Sequence, residues 1–120
     1  MDWAILWIAV PAFALLFIAK RLGLVSLEAA RAQLQEGAIV VDVRSPSEYQ
    51  SGHLTKAINL PLGEIGSQAE RRLPQKHQAI LLHCLSGGRS AIAKRQLKSM
   101  GYTRVSNLGS YSRAGKIVGG

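Results

Sequence analysis

One thiol dominates the chemistry available to this chain. Cys84, the single cysteine, heads the run Cys84-Leu85-Ser86-Gly87-Gly88-Arg89-Ser90. Two adjacent glycines permit positive φ and close approach of the backbone to a ligand. Backbone N–H groups of such a loop, joined by the N-terminus of a following helix near Ser90, form a nest for negative charge. That environment lowers a thiol pKa and holds an anionic group attached to the sulfur. Arg89 adds a cation at the rim. The chemistry is therefore nucleophilic, with Cys84 attacking an electrophilic centre and the loop steadying the charge. A lone cysteine ending an apolar strand is ordinarily a small buried hydrophobe, but the Gly-Gly turn, the arginine and the helix start favour function. His83 precedes Cys84 on the same strand, so its side chain points to the opposite face and is read as structural.

The elements that must position this thiol follow from apolar runs and caps. Ser26 caps a helix over LEAARAQLQE, which Gly37 closes. Residues 38–43 (AIVVDV) read as a buried strand. Ser45, Pro46 and Glu48 form the start of a helix, with Pro46 at its first position and Glu48 reaching back in a capping box. A short strand over 57–61, a helix over 64–72 and a second apolar strand over 79–84 come next. A helix from about Ser90 to Met100 and a strand over 104–108 complete the series. Strands alternating with helices predict a mainly parallel sheet covered on both faces. Cys84 then falls at the carboxyl end of a strand, where ligands collect in such sheets.

Composition divides the chain in two. Residues 3–19 carry no charged side chain, while the rest mixes apolar and charged positions. As a helix the 17-residue run would span about 26 Å, close to the roughly 30 Å hydrocarbon core. Trp3 and Trp7 suit an interfacial belt, and Lys20 and Arg21 can snorkel to headgroups. A cleaved signal peptide would begin with basic residues, whereas the early side-chain charge here is Asp2. A buried core helix would show a polar face. The expected organisation is a transmembrane anchor over 1–21, a short linker ending at Val25, and one soluble domain within 22–120. Lys20-Arg21 after the span places that domain on the cytoplasmic side of a bacterial inner membrane, although two cations also permit the reverse orientation.

The net charge is +8, with 15 basic and 7 acidic residues scattered along the chain. Attraction to anionic headgroups or to small anionic substrates fits this balance, as does a solvated basic face. Zinc-ligand spacing and nucleic-acid modules are absent from the sequence. A solitary cysteine allows no intrachain disulfide and suits a reducing compartment or a catalytic role.

In several ordered pieces the sequence resembles the rhodanese-like domains. Asp42-Val43-Arg44 with Glu48-Tyr49 and Gly52-His53-Leu54 is similar to that family's first block, and Ala57-Ile58-Asn59-Leu60-Pro61 follows at the familiar interval. The Cys84–Ser90 run resembles its active-site loop, and Gly101-Tyr102 with Val105-Ser106-Asn107-Leu108 its closing strand. The resemblance covers about residues 27–115 and implies a small α/β rhodanese fold. It also implies a sulfurtransferase in which Cys84 takes sulfane sulfur from a donor such as thiosulfate, carries it as a persulfide, and yields it to a thiol or protein acceptor. No metal or organic cofactor is implied. Residues 85–90 would bind substrate, with Arg89 contacting the anionic donor. Asp42, Arg44, Glu48 and His53 fall on motif positions read as structural, a strand-end turn held by charge-assisted hydrogen bonds.

Two rivals stay in view. Rhodanese-like folds also serve as non-catalytic binding modules. Cysteine phosphatases and arsenate reductases share a similar cradle, but phosphatases separate Cys and Arg by five residues. Here four residues intervene, a tighter ring suited to one sulfur atom. The family's usual Gly-Gly turn and tryptophan after the closing strand are replaced by residues 109–115, with Gly115 at the tryptophan position. A short or frayed terminal segment is expected there.

Overall fold

A computed structural model describes residues 7, 11–14, 16, 17 and 22–119. Four parallel strands form the sheet: β1 (Ile39–Asp42), β2 (Ala57–Asn59), β3 (Ile80–His83) and β4 (Val105–Gly109), in the order β2-β1-β3-β4. Five helices that lie wholly among the described residues accompany them: α1 (Leu27–Gln35), α2 (Pro46–Ser51), α3 (Ile65–Arg72), α4 (Gly88–Ser99) and α5 (Tyr111–Val118). A 3₁₀ turn, Leu62–Glu64, leads into α3.

Alternation along β3 divides the core. Ile80, Leu82 and Cys84 join Val41, Val43, Ala93 and Leu97 on one face, under α3 and α4. Leu81 joins Val40, Ala30, Leu108, Ala114 and Ile117 on the other, under α1 and α5. Both faces are thus covered, as parallel sheets require. Ser26 caps α1 by accepting from the Ala29 N–H. Ser45 and Glu48 close a reciprocal capping box on α2, with Pro46 in the first turn.

The structure departs from the sequence reading in three places. First, α4 begins at Gly88 rather than near Ser90, because Gly87 adopts φ 102° and serves as its N-cap. Second, the segment after Leu108 is a packed helix. Ser110 caps it by accepting from the Arg113 N–H, and Ala114 and Ile117 are buried. Gly115 faces Leu54, whose Cδ2 is 3.5 Å from where a Cβ would stand, an ordinary contact distance. Tertiary burial outweighs the modest helix propensity of the stretch.

Third, residues 22–25 are no loose linker. Leu24 forms a parallel bridge with Asn107, and the Val25 N–H donates to the Asn107 carbonyl at 2.9 Å. The expected membrane anchor over 1–21 lies mostly outside the described residues. Those described within it are helical and exposed, Trp7 and Phe13 among them. Among the described residues no helix is long and apolar enough to cross a membrane.

Candidate active site

The site sits at the carboxyl ends of β1, β3 and β4, where the chain turns from β3 into α4. Cys84 is fully buried at the base of this turn. Its Sγ accepts from the Gly87 N–H at 3.0 Å and from Ser90 Oγ at 3.5 Å. Burial pushes the thiol pKa up. The Ser90 hydroxyl and the backbone N–H groups of Ser90, Gly87 and Ser86 pull it down, and together they hold it below the ordinary cysteine value. The cradle therefore favours the thiolate, the nucleophilic form.

Left-handed geometry at Gly87 produces this convergence. A Cβ there would stand 3.3 Å from Gly109 Cα and 3.5 Å from Leu22 Cδ1, in a conformation that L side chains avoid. Gly109, at φ 93°, turns β4 toward α5 where the β3–β4 register slips. The loop is fastened to that junction. Cys84 N–H donates to the Gly109 carbonyl, and Tyr111 N–H donates to the Leu85 carbonyl.

Asn107 ties the arrangement together. It is fully buried; its Nδ2 donates to the Gly87 carbonyl at 3.2 Å and the Leu22 carbonyl at 2.9 Å, while Oδ1 accepts from the Gly109 N–H. The sequence reading placed Asn107 on the closing strand without giving it a part in the site. A buried amide whose donors and acceptor are all engaged fixes its neighbours strongly.

Arg89 stands at the rim. Its guanidinium binds Glu48 in a two-point ion pair, Nη1–Oε1 2.6 Å and Nη2–Oε2 2.9 Å, with both side chains about one-third exposed. Arg89 is held charged first by Glu48 and also by the nearby Cys84 sulfur. The Glu48 carboxyl is lowered to about 2, by Arg89 first and then by the Ser45 N–H. Glu48 therefore does more than cap α2. Leu85 projects outward at 58% exposure, and Ser86 is exposed beside it. Gly88 opens α4.

The remaining motif residues lie below the cradle. Asp42 is fully buried and accepts from Arg44 Nε and Nη2, and from the Arg44 N–H. Arg44 donates onward to the Gly52 carbonyl and lies over the Tyr111 ring. His53 is separate from this pair: exposed, stacked on Tyr49, and bonded through Nδ1 to the Tyr49 carbonyl. His83 is buried on the face opposite Cys84, edge-on to Tyr111, with Nδ1 donating to the Cys84 carbonyl. Burial lowers its pKa, while the Cys84 carbonyl and the Asp42 carboxylate, with Oδ2 3.7 Å from Nε2, pull the other way.

Comparison with known proteins agrees with this geometry. A family model described as rhodanese-like domain matches residues 26–113. The thiosulfate sulfurtransferase PspE of Escherichia coli (strain K12) is 41% identical over 69 residues, covering 58% of this chain and 66% of that protein. Two further curated relatives are covered over 45% and 51% of their length, so the chain spans less than two thirds of these relatives. A solved structure described as rhodanese with anions from E. coli superposes with a TM-score of 0.59 at 38% identity, over 62% of this chain and 87% of that one. The human single-domain sulfurtransferase TSTD1 gives 0.66 at 30% identity, over 78% of this chain and 96% of that one.

Proposed function

The chain belongs to the rhodanese-like domain family, and from that membership we propose that it is a sulfurtransferase working through a Cys84 persulfide. The carrying observation is the ring of donors around Cys84 Sγ, with the Gly87 N–H 3.0 Å away. The Cys84 thiolate attacks the sulfane sulfur of thiosulfate and forms a new S–S bond. The bond to the sulfonate sulfur breaks, and sulfite departs with the electron pair. The persulfide anion that remains is held by the loop N–H groups. A thiophilic acceptor then bonds to the outer sulfur, and the electron pair of the broken S–S bond returns to Cys84.

Residues 85–90 bind the donor, and Arg89 attracts its negative charge. The tight ring, with four residues between Cys84 and Arg89, supports sulfur transfer over phosphate chemistry. The charge-free run 3–19 is proposed as a single-pass anchor, with the domain on the cytoplasmic side.

Thiosulfate-to-cyanide turnover by the full chain tests the reading, alongside mass spectrometry of the thiosulfate-treated protein. One reductant-labile sulfur on the parent and none on Cys84→Ala is expected; the same added sulfur on Cys84→Ala would defeat the assignment. The full burial of Cys84 favours a second reading, a non-catalytic binding module. A thiol that alkylates normally yet never transfers sulfur would select that reading.

A further inference from the structure

The chain leaves the domain beside the sulfur cradle. Leu22 is the first residue of the continuous described segment, and its carbonyl shares the Asn107 amide with Gly87. Gly87 in turn donates to Cys84 Sγ. Lys94 Nζ holds the Gly23 carbonyl at 3.3 Å, and Arg113 Nη2 holds the Val25 carbonyl at 2.6 Å. Four consecutive residues are thus fixed against α4, β4 and α5, leaving no slack between the cradle and the chain's exit.

The charge-free run ends at Ala19, three residues before Leu22. Three residues reach about 10 Å at most. The headgroup layer on one side of a bilayer is roughly 5–8 Å deep. With the run inserted, Leu22 lies at the bilayer surface, and Gly87 and Cys84 lie beside it. The surface around this exit suits such a place. Leu85 and Ile92 are exposed apolar side chains next to the thiol and one turn along α4. Lys94, at the exit itself, and Lys98 beside it have no carboxylate partner among the described residues, a charge arrangement complementary to anionic headgroups.

We infer that the acceptor taking sulfur from Cys84 is a thiol carried at the bilayer surface, within the headgroup layer. This rests on the persulfide and anchor readings above. In the transfer, the acceptor sulfur bonds to the outer sulfur of the persulfide anion. The S–S bond to Cys84 breaks with its pair going to Sγ, and the thiol proton ends on the persulfide product. The step consumes no other oxidant or reductant.

The test uses the full chain in nanodiscs containing anionic lipid, loaded with thiosulfate. One acceptor is a phospholipid with a thiol headgroup; the other is the same headgroup thiol without acyl chains, at equal total concentration. Transfer to the lipid-borne thiol should be at least about tenfold faster, from surface confinement at matched height. A 20-residue helical spacer inserted between Arg21 and Leu22 raises the domain by about 30 Å and leaves the Asn107 clamp intact. It should abolish the preference and leave transfer to cyanide unchanged. Equal rates for the two thiols in the parent, or a preference that survives the spacer, would overturn the inference. Failure of Cys84 to gain sulfur, or extraction of the protein by alkaline carbonate, would instead overturn the underlying readings and this one with them.

Discussion

Arg89 and Glu48 face each other in a two-point ion pair, Nη1 2.6 Å from Oε1 and Nη2 2.9 Å from Oε2. The pair joins the start of α4 to the start of α2 and places a charge-paired guanidinium beside the thiol. Its carboxylate both aims the arginine and competes for its charge, which makes donor binding adjustable.

Replacement of Glu48 by glutamine keeps the length of the side chain and removes the competing charge. The KM for thiosulfate should fall about twofold to fivefold, the range expected of a partly exposed ion pair in ordinary salt, with kcat little changed. Steady-state kinetics decide this. A raised KM would show that aiming Arg89 outweighs neutralising it.

The same pair shapes acid stability. Glu48 titrates at about 2 in the folded chain, against an ordinary 4.5. As pH falls, the unfolded chain takes up this proton first, so the stabilisation is fully present above about pH 4.5 and is lost toward pH 2. Denaturant titrations of Glu48→Gln across that window should show a shallower loss of stability than the parent. Equal slopes would mean that the pair contributes nothing to folding.

Burial raises the Cys84 thiol pKa and the Ser90 and loop donors lower it further than burial raises it. Ser90→Ala removes the hydroxyl at 3.5 Å. The pH midpoint of alkylation at Cys84 should move upward, and the rate near neutrality should drop roughly threefold to tenfold, as for one ordinary hydrogen bond lost. An unmoved midpoint would assign the thiolate to the backbone N–H groups alone.

Much of this architecture is legible in sequence because its signals are local. Ile39–Asp42 and Ile80–His83 are unbroken apolar runs ending in a polar residue, and Ser26 and Ser45 announce their helices three residues ahead of the N–H groups they cap. Three features escaped for a shared reason. Glu48–Arg89, Leu22–Asn107 and the packing of α5 on Leu54 join residues far apart in the chain. No periodicity records such pairs. Gly115 misled in particular, since its low helix propensity is outweighed by the burial of Ala114 and Ile117.

Asn107 gives the sharpest test of whether that hidden connectivity serves chemistry. Asn107→Asp keeps an acceptor for the Gly109 N–H and loses the Nδ2 donor shared by Leu22 and Gly87. Unpaired buried carbonyls should cost about 1–3 kcal/mol of stability, which a purely structural residue would also show. The discriminating readout is the pH dependence of Cys84 alkylation. If Asn107 positions the Gly87 N–H on the sulfur, its loss should raise the alkylation midpoint and slow persulfide formation about tenfold, with KM for thiosulfate little altered. Asn107→Ser, too short to span both carbonyls, should behave likewise. A parent-like midpoint in both variants, beside lowered melting temperatures, would confine Asn107 to holding the fold.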